Sequence, residues 1–236
     1  DIHSTSSEAV YTSVNQCLAA SDEAVVSVDG KQEVLPAQET AYENADWVLH
    51  DGIGYLFPQG GRVVAGAQQQ SGTWYDINNS VNRKEPVEEK VFTVSLDHGR
   101  QPENATYAYV VVPGKRTASE MEKYCKNNAI EILSNTADIQ VVRHKKLDVW
   151  QMVFYRSGEF KYGKLSVRVD KPCALMVKKV NSRRPVVHVA DPGQTGQPIQ
   201  IKVRISGSKG GEQTIDFRPS DNPIFAGATQ SFTLKY

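Results

Sequence analysis

The chain has 236 residues, 39% of them apolar, and its 27 basic residues balance 27 acidic ones. That apolar content suffices for packed cores in one large β-domain or two of ordinary size. No apolar run approaches membrane-spanning length, and zero net charge gives no bulk attraction to nucleic acid or a membrane surface. Three doublets, Lys145-Lys146, Lys178-Lys179 and Arg183-Arg184, read as exposed charge on strand ends and turns, or as a local basic patch for an acidic polymer. Cys17, Cys125 and Cys173 are widely spaced, lack any C-x-x-C pairing, and read as small buried apolar residues. No charged-then-apolar leader opens the sequence, and Asp1-Ile2-His3-Ser4 reads as the interior of a longer polypeptide.

Period-two alternation dominates along the chain. Asp46 to Pro58, then Gln70 to Asn78, then Leu96-Asp97-His98-Gly99 read as successive strands and turns of one large antiparallel sheet. Phe92, Val94 and Leu96 alternate with Thr93 and Ser95, as a half-buried strand requires. Tyr107 to Val112 is apolar on both faces and predicts an interior strand buried on both sides. Thr117-Ala118-Ser119-Glu120 fits a capping box and starts a helix with Ala118, Met121, Tyr124 and Cys125 on one face, ended by Asn127-Asn128. Alternation resumes at Leu165, Val167 and Val169, at Ile199, Ile201, Val203 and Ile205, and at Phe232, Leu234 and Tyr236. Asp29-Gly30, Asp51-Gly52, Gly60-Gly61, Asp191-Pro192-Gly193 and the hairpin tip Gly207 to Gly211 punctuate these runs as turns. The expected fold is all-β: an antiparallel sandwich domain over residues 1–130 and a smaller β-sandwich domain over 131–236, with one short connecting helix at the seam.

Chemistry-bearing residues are sparse. His3, His50, His98, His144 and His188 are single, with no H-E-x-x-H, and the Asp and Gly beside His50 and His98 explain those two as turn residues. No G-x-S-x-G elbow occurs, and no helix follows the glycine clusters to make a phosphate loop. Asp22-Glu23, Asp29, Asp51 and Asp76 offer oxygen atoms but not the close spacing of a calcium loop. Asn78-Asn79-Ser80 and Asn104-Ala105-Thr106 match the glycosylation sequon. Among the aromatic residues, Trp47, Tyr55 and Trp150 read as core or inter-strand packing, whereas Trp74 and Tyr75 sit near a glycine turn and polar residues, an edge suited to sugar contact.

Four segments resemble polysaccharide lyase family 8, the chondroitin AC and hyaluronate lyase kind. Val10 to Gln16 is similar to the family's V-x-T-x-x-x-Q strand, and Trp47 to Pro58 to its W-x-x-H-x-G-x-G-Y-x-F-P hairpin. Leu96 to Gly99 with Pro102 to Tyr109 resembles its D-H-G-x-x-P-x-N-A-x-Y-x-Y turn, and Ile132 to Val142 the start of its C-terminal domain. The resemblance implies a secreted or periplasmic parent that cleaves acidic polysaccharide by β-elimination, chondroitin first, hyaluronan second and xanthan third. It implies that the catalytic Asn, His, Tyr and Arg lie in an N-terminal helical toroid, with further Asn and Glu from the start of the central β-domain. No N-x-E-N-like run occurs here. Asn78, Asn79, Asn82, His98 and Tyr107 are right in type but match structural positions, so no catalytic residue, cofactor or metal ligand is expected in the chain. The resemblance allows a structural divalent cation such as calcium in the parent.

The expected partners are acidic polysaccharide and the toroid, without nucleic acid or membrane. The expected role is to buttress that toroid and complete one wall of the substrate cleft. A chain starting inside a β-domain is expected to leave an exposed sheet edge or a rearranged N-terminus. The alternative is a stand-alone carbohydrate-binding or adhesion sandwich, which exposed coplanar aromatic residues would favour.

Overall fold

Alternating apolar residues can be buried only where strands pair, and in this chain they pair into two sets of sheets. The computed structural model describes residues 2–20, 24–80, 83–207 and 211–235. Two compact units, Asp1–Asn128 and Ala129–Tyr236, are distinguishable. Asp22, Glu23, Asn82, Tyr236 and the tip residues 208–210 lie outside the described residues.

The first unit contains β1 (Ala9–Leu18), β2 (Ala24–Val28), β3 (Lys31–Val34), β4 (Thr40–Glu43), β5 (Ala45–His50), β6 (Ile53–Leu56), β7 (Arg62–Gly72), β8 (Val87–Arg100) and β9 (Val110–Pro113). They form a four-stranded antiparallel sheet in the order β1-β8-β7-β4 and a five-stranded one in the order β3-β2-β5-β6-β9. Two hairpins are set by local chemistry. Asp29-Gly30 links Val28 to Lys31, and Asp51-Gly52 links His50 to Ile53. All four turn residues have positive φ, which Gly adopts freely and Asp tolerates, and which two-residue hairpin turns of the primed type demand.

The two sheets enclose one core. Val26, Val48 and Tyr55 of the five-stranded sheet meet Val63, Ala65, Phe92, Val94 and Leu96 of the four-stranded sheet. A second cluster lies on the other face of the five-stranded sheet, where Trp47, Leu49, Leu56 and Val112 pack with Met121. Met121 belongs to α2 (Ala118–Lys126), whose cap is the expected one. The Thr117 side chain accepts the Glu120 N–H at 3.2 Å, and Glu120 accepts the Thr117 N–H at 3.2 Å. Ala118, Tyr124 and Cys125 complete the buried face. The helix is therefore a lid on the sheet and not simply a connector. Trp47 is fully buried because it faces this lid.

Two expectations need correction. Tyr107 to Val112 is not an interior strand: residues 107–109 are extended without strand pairing, and β9 is an edge strand bonded only to β6 among the described residues. Tyr107, Tyr109 and Val111 are consequently exposed, and Val112 alone of this run is buried. A second short helix, α1 (Trp74–Ile77), joins β7 to β8. β1 lies at a sheet edge, and the segment before it is held by Ile2 and Ser4 N–H donated to the carbonyls of Ala105 (2.7 Å) and Pro102 (3.1 Å).

The second unit contains β10 (Ile130–Asn135), β11 (Ile139–His144), β12 (Val149–Phe154), β13 (Gly158–Tyr162), β14 (Leu165–Val169), β15 (Cys173–Lys178), β16 (Val186–Ala190), β17 (Ile199–Ile205), β18 (Glu212–Phe217) and β19 (Gln230–Thr233). A six-stranded sheet, β10-β11-β12-β15-β16-β19, and a four-stranded sheet, β13-β14-β17-β18, share one core. Leu165, Val167 and Val169 and the isoleucine–valine series of β17 fill it from one side, with Trp150, Met152, Phe154 and Cys173 from the other.

Candidate functional site

Trp74 and Tyr75 lie in the connection that carries β7 into β8, just beyond the last strand pair, Gly72 with Val87. Thr73 caps α1: its hydroxyl accepts the Asp76 N–H at 3.2 Å and donates to Asp76 Oδ2 at 2.7 Å. The Asn78 N–H closes the turn on the Trp74 carbonyl at 3.0 Å, and the Tyr75 N–H reaches the Arg83 carbonyl at 3.1 Å. This bonding holds the two adjacent rings apart. Trp74, 54% exposed, lines a cleft of about 330 Å3 with Gln70, Thr73, Ile77, Val87 and Glu89. Tyr75 does not line that cleft, and Lys84 Nζ sits 4.6 Å from its ring centroid. The cleft thus offers one flat indole face with Gln70 and Glu89 as hydrogen-bonding groups, a combination suited to one face of a sugar ring.

A second aromatic group was not anticipated. Tyr107 and Tyr109 stack at 6.3 Å with planes 11° apart, and His98 lies 5.6 Å from Tyr107. The Thr12 hydroxyl and His98 Nε2 are 2.8 Å apart. Desolvation holds the His98 imidazole below its ordinary pKa, against the opposing pull of Asp97. His98 is eleven positions from Val87 on β8, so this group is roughly 35 Å of extended chain from α1. Asn78 and His98 do not form one site. His50 is buried, stacks on Phe92 at 4.0 Å and has Asp51 Oδ2 at 3.3 Å from its Nε2.

The remaining sequence candidates are dispersed. Asp51 accepts the Ala20 N–H at 3.0 Å, and Asp76 is engaged by Thr73. Among the described residues, no three His, Cys, Asp or Glu side chains converge as a metal-binding set. None of the described helices is long and apolar enough to cross a membrane, which says nothing of β-barrels. Signals for what was missed were present. Thr73-Trp74-Tyr75-Asp76 repeats the helix-start pattern found at Thr117, and Pro113 in the last strand of the five-stranded sheet marks an edge.

Comparison with known proteins matches both units. Residues 1–125 fit the family model "Polysaccharide lyase family 8, super-sandwich domain", and residues 131–200 fit "Polysaccharide lyase family 8, C-terminal beta-sandwich domain". The chain is 36% identical to Chondroitinase-AC of Pedobacter heparinus over 229 residues, covering 97% of this chain and 32% of that protein. It is 33% identical to Hyaluronate lyase of Thermasporomyces composti over 159 residues, 67% of this chain and 20% of that protein. A solved structure of chondroitinase AC lyase superposes with a TM-score of 0.86 at 33% identity, over 98% of this chain and 33% of that one. The chain therefore spans about a third or less of the length of these relatives.

Proposed function

The chain belongs to polysaccharide lyase family 8, and we propose that it forms the C-terminal β-region of a lyase that cleaves acidic glycosaminoglycans by β-elimination. One observation carries this reading. Similarity to chondroitinase AC extends over 97% of the chain in sequence and 98% in fold, across both units in order. Chondroitin sulfate is the favoured substrate, with hyaluronan second. In such an elimination a base takes the C5 proton of a uronate, a neutralising group holds its carboxylate, and an acid protonates the leaving oxygen.

No residue here is assigned a catalytic role. His50 is buried under Phe92, and His98 is tied to Thr12 and packed by Tyr107, which supports structural parts for both. The proposed work of the chain is to support the helical toroid of its parent and to complete a wall of the substrate cleft. The parent acts outside the cell or in the periplasm, where such polymers are met. The direct test is an elimination assay of the parent polypeptide on chondroitin sulfate, hyaluronan and xanthan. Product from chondroitin sulfate is expected, and failure on all three polymers sinks the reading.

The exposed, nearly parallel Tyr107 and Tyr109 rings, and Trp74 in its cleft, favour a second reading as a carbohydrate-binding module. Binding of neutral glycans by the chain, lost in Trp74→Ala or Tyr109→Ala, would support that alternative.

A further inference from the structure

The three basic doublets are separated by up to about forty positions in sequence, yet sheet pairing brings their connections to one end of the second unit. In the six-stranded sheet, His144 pairs with Val149, Val149 with Lys178, and Lys178 with Val186. The turn after β11, which carries Lys145 and Lys146, therefore leaves the sheet beside the connection after β15, which carries Lys179, Arg183 and Arg184. Asp148 ties the two together. Its carbonyl accepts the Lys179 N–H at 2.9 Å, and its carboxylate accepts the Asn181 N–H at 2.9 Å and Asn181 Nδ2 at 3.2 Å.

The local charge is strongly one-sided. Residues 178–184, Lys-Lys-Val-Asn-Ser-Arg-Arg, include four cations and no carboxylate. Glu131 is engaged by Arg143 at 3.5 Å and Lys145 at 3.4 Å, and the Asp148 carboxylate is occupied by Asn181. Lys179, Arg183 and Arg184 are exposed, and none has a carboxylate within ion-pair distance among the described residues. A protein of zero net charge has thus gathered cations on one edge braced by the hydrogen bonds of Asp148.

We propose that this edge, centred on Lys179, Arg183 and Arg184, binds an acidic polysaccharide through its carboxylate and sulfate groups. The second unit then holds polymer through exposed cations on the connections after β11 and β15. Guanidinium groups suit this chemistry because their planar N–H forks match two-oxygen acceptors. The choice of polysaccharide over another polyanion rests on the lyase reading above. The contacts are exposed, so binding weakens as salt rises and the Debye length shortens.

The test is binding of the 236-residue chain to immobilised chondroitin sulfate across a salt series, with Lys179→Gln/Arg183→Gln/Arg184→Gln as the variant. The triple variant, which loses three exposed charge contacts, is expected to bind roughly tenfold more weakly, with a flatter salt dependence. Arg183→Lys/Arg184→Lys keeps the charge but loses the N–H forks and is expected to bind between the unsubstituted chain and the triple variant, and Arg204→Gln on β17 serves as the control that changes nothing. Unaltered melting of each variant shows that the fold is intact. Absence of binding by the unsubstituted 236-residue chain, or equal binding by the triple variant, overturns the proposal. So does duplex DNA that binds as tightly and competes, since the edge would then not select polysaccharide. Elimination by the parent enzyme is scored separately. Loss of that activity claim with patch binding intact retires the lyase reading alone, and the reverse result retires the patch alone.

Discussion

Gly54 of β6 lies directly beneath Met121 of α2, and a Cβ at position 54 would sit 2.9 Å from the Met121 methyl carbon and clash with its sulfur. The glycine lets the helix seat on the five-stranded sheet, over Trp47, Leu56 and Val112. Gly54→Val is expected to destabilise the first unit by about 1–3 kcal/mol through overpacking. Met121→Ala alone should cost about 2–5 kcal/mol by leaving a cavity. The double variant should lose less than the sum of the two, because each change relieves the other's fault. Additive losses in chemical denaturation would contradict this packing.

The cap of the same helix makes a separate prediction. Thr117→Ala removes the hydroxyl that accepts the Glu120 N–H and should cost about 1 kcal/mol. Backbone N–H groups of Arg116 and Thr117 hold the Glu120 carboxyl below its ordinary pKa. Its stabilising part is therefore present above the usual carboxylate range and fades as pH falls through the lowered value. Thr117→Ser should retain most of the stability, and a Ser variant as unstable as Ala would rule out the hydroxyl.

His98 supplies a prediction in the opposite direction of charge. Burial favours its neutral form, so its folded-state pKa lies below its ordinary value. The associated stability is present above the unfolded value and is lost as pH falls through the folded one. In NMR titration the His98 resonance should move at a lower pH than that of an unstructured histidine peptide. Titration at or above the peptide value would contradict the packing by Tyr107.

Thiol chemistry separates the cysteines. Burial pushes Cys173 up to about 12 and Cys125 up to about 11. At pH 8 both are protonated, and alkylation of Cys173 should await unfolding. Because the folded values exceed the unfolded one, their contribution is intact below the ordinary thiol range and declines as pH rises toward about 12. Rapid alkylation of Cys173 in the native protein would show that its site opens locally.

Much of this fold was legible wherever a single residue type answers a local demand. Asp51-Gly52 announces its hairpin because both positions need positive φ, and Thr117 with Glu120 announces α2 because together they satisfy orphan N–H groups. Alternation at Ile199 to Ile205 marks its buried face directly. Less could be read where long-range pairing decides. Thr73 and Asp76 cap a helix too short to show a periodic apolar face, so α1 was missed. The run from Tyr107 to Val112 has the apolarity of an interior strand, but sheet order leaves its tyrosines outside. Trp74 and Tyr75 could be proposed as sugar contacts from their setting, yet only the turn geometry separates one into a cleft and the other beneath Lys84. The convergence of Lys145 with Arg183 depends on the order β11-β12-β15-β16, which no local pattern encodes.

The most direct measurement is ultraviolet absorbance of unsaturated uronate while the purified 236-residue chain is incubated with chondroitin sulfate and with hyaluronan. No product is expected from the chain alone, because the eliminating residues are proposed to lie in other parts of the parent enzyme. Sustained product formation, removed by His98→Ala or Tyr107→Phe, would contradict it and place an active site within these residues.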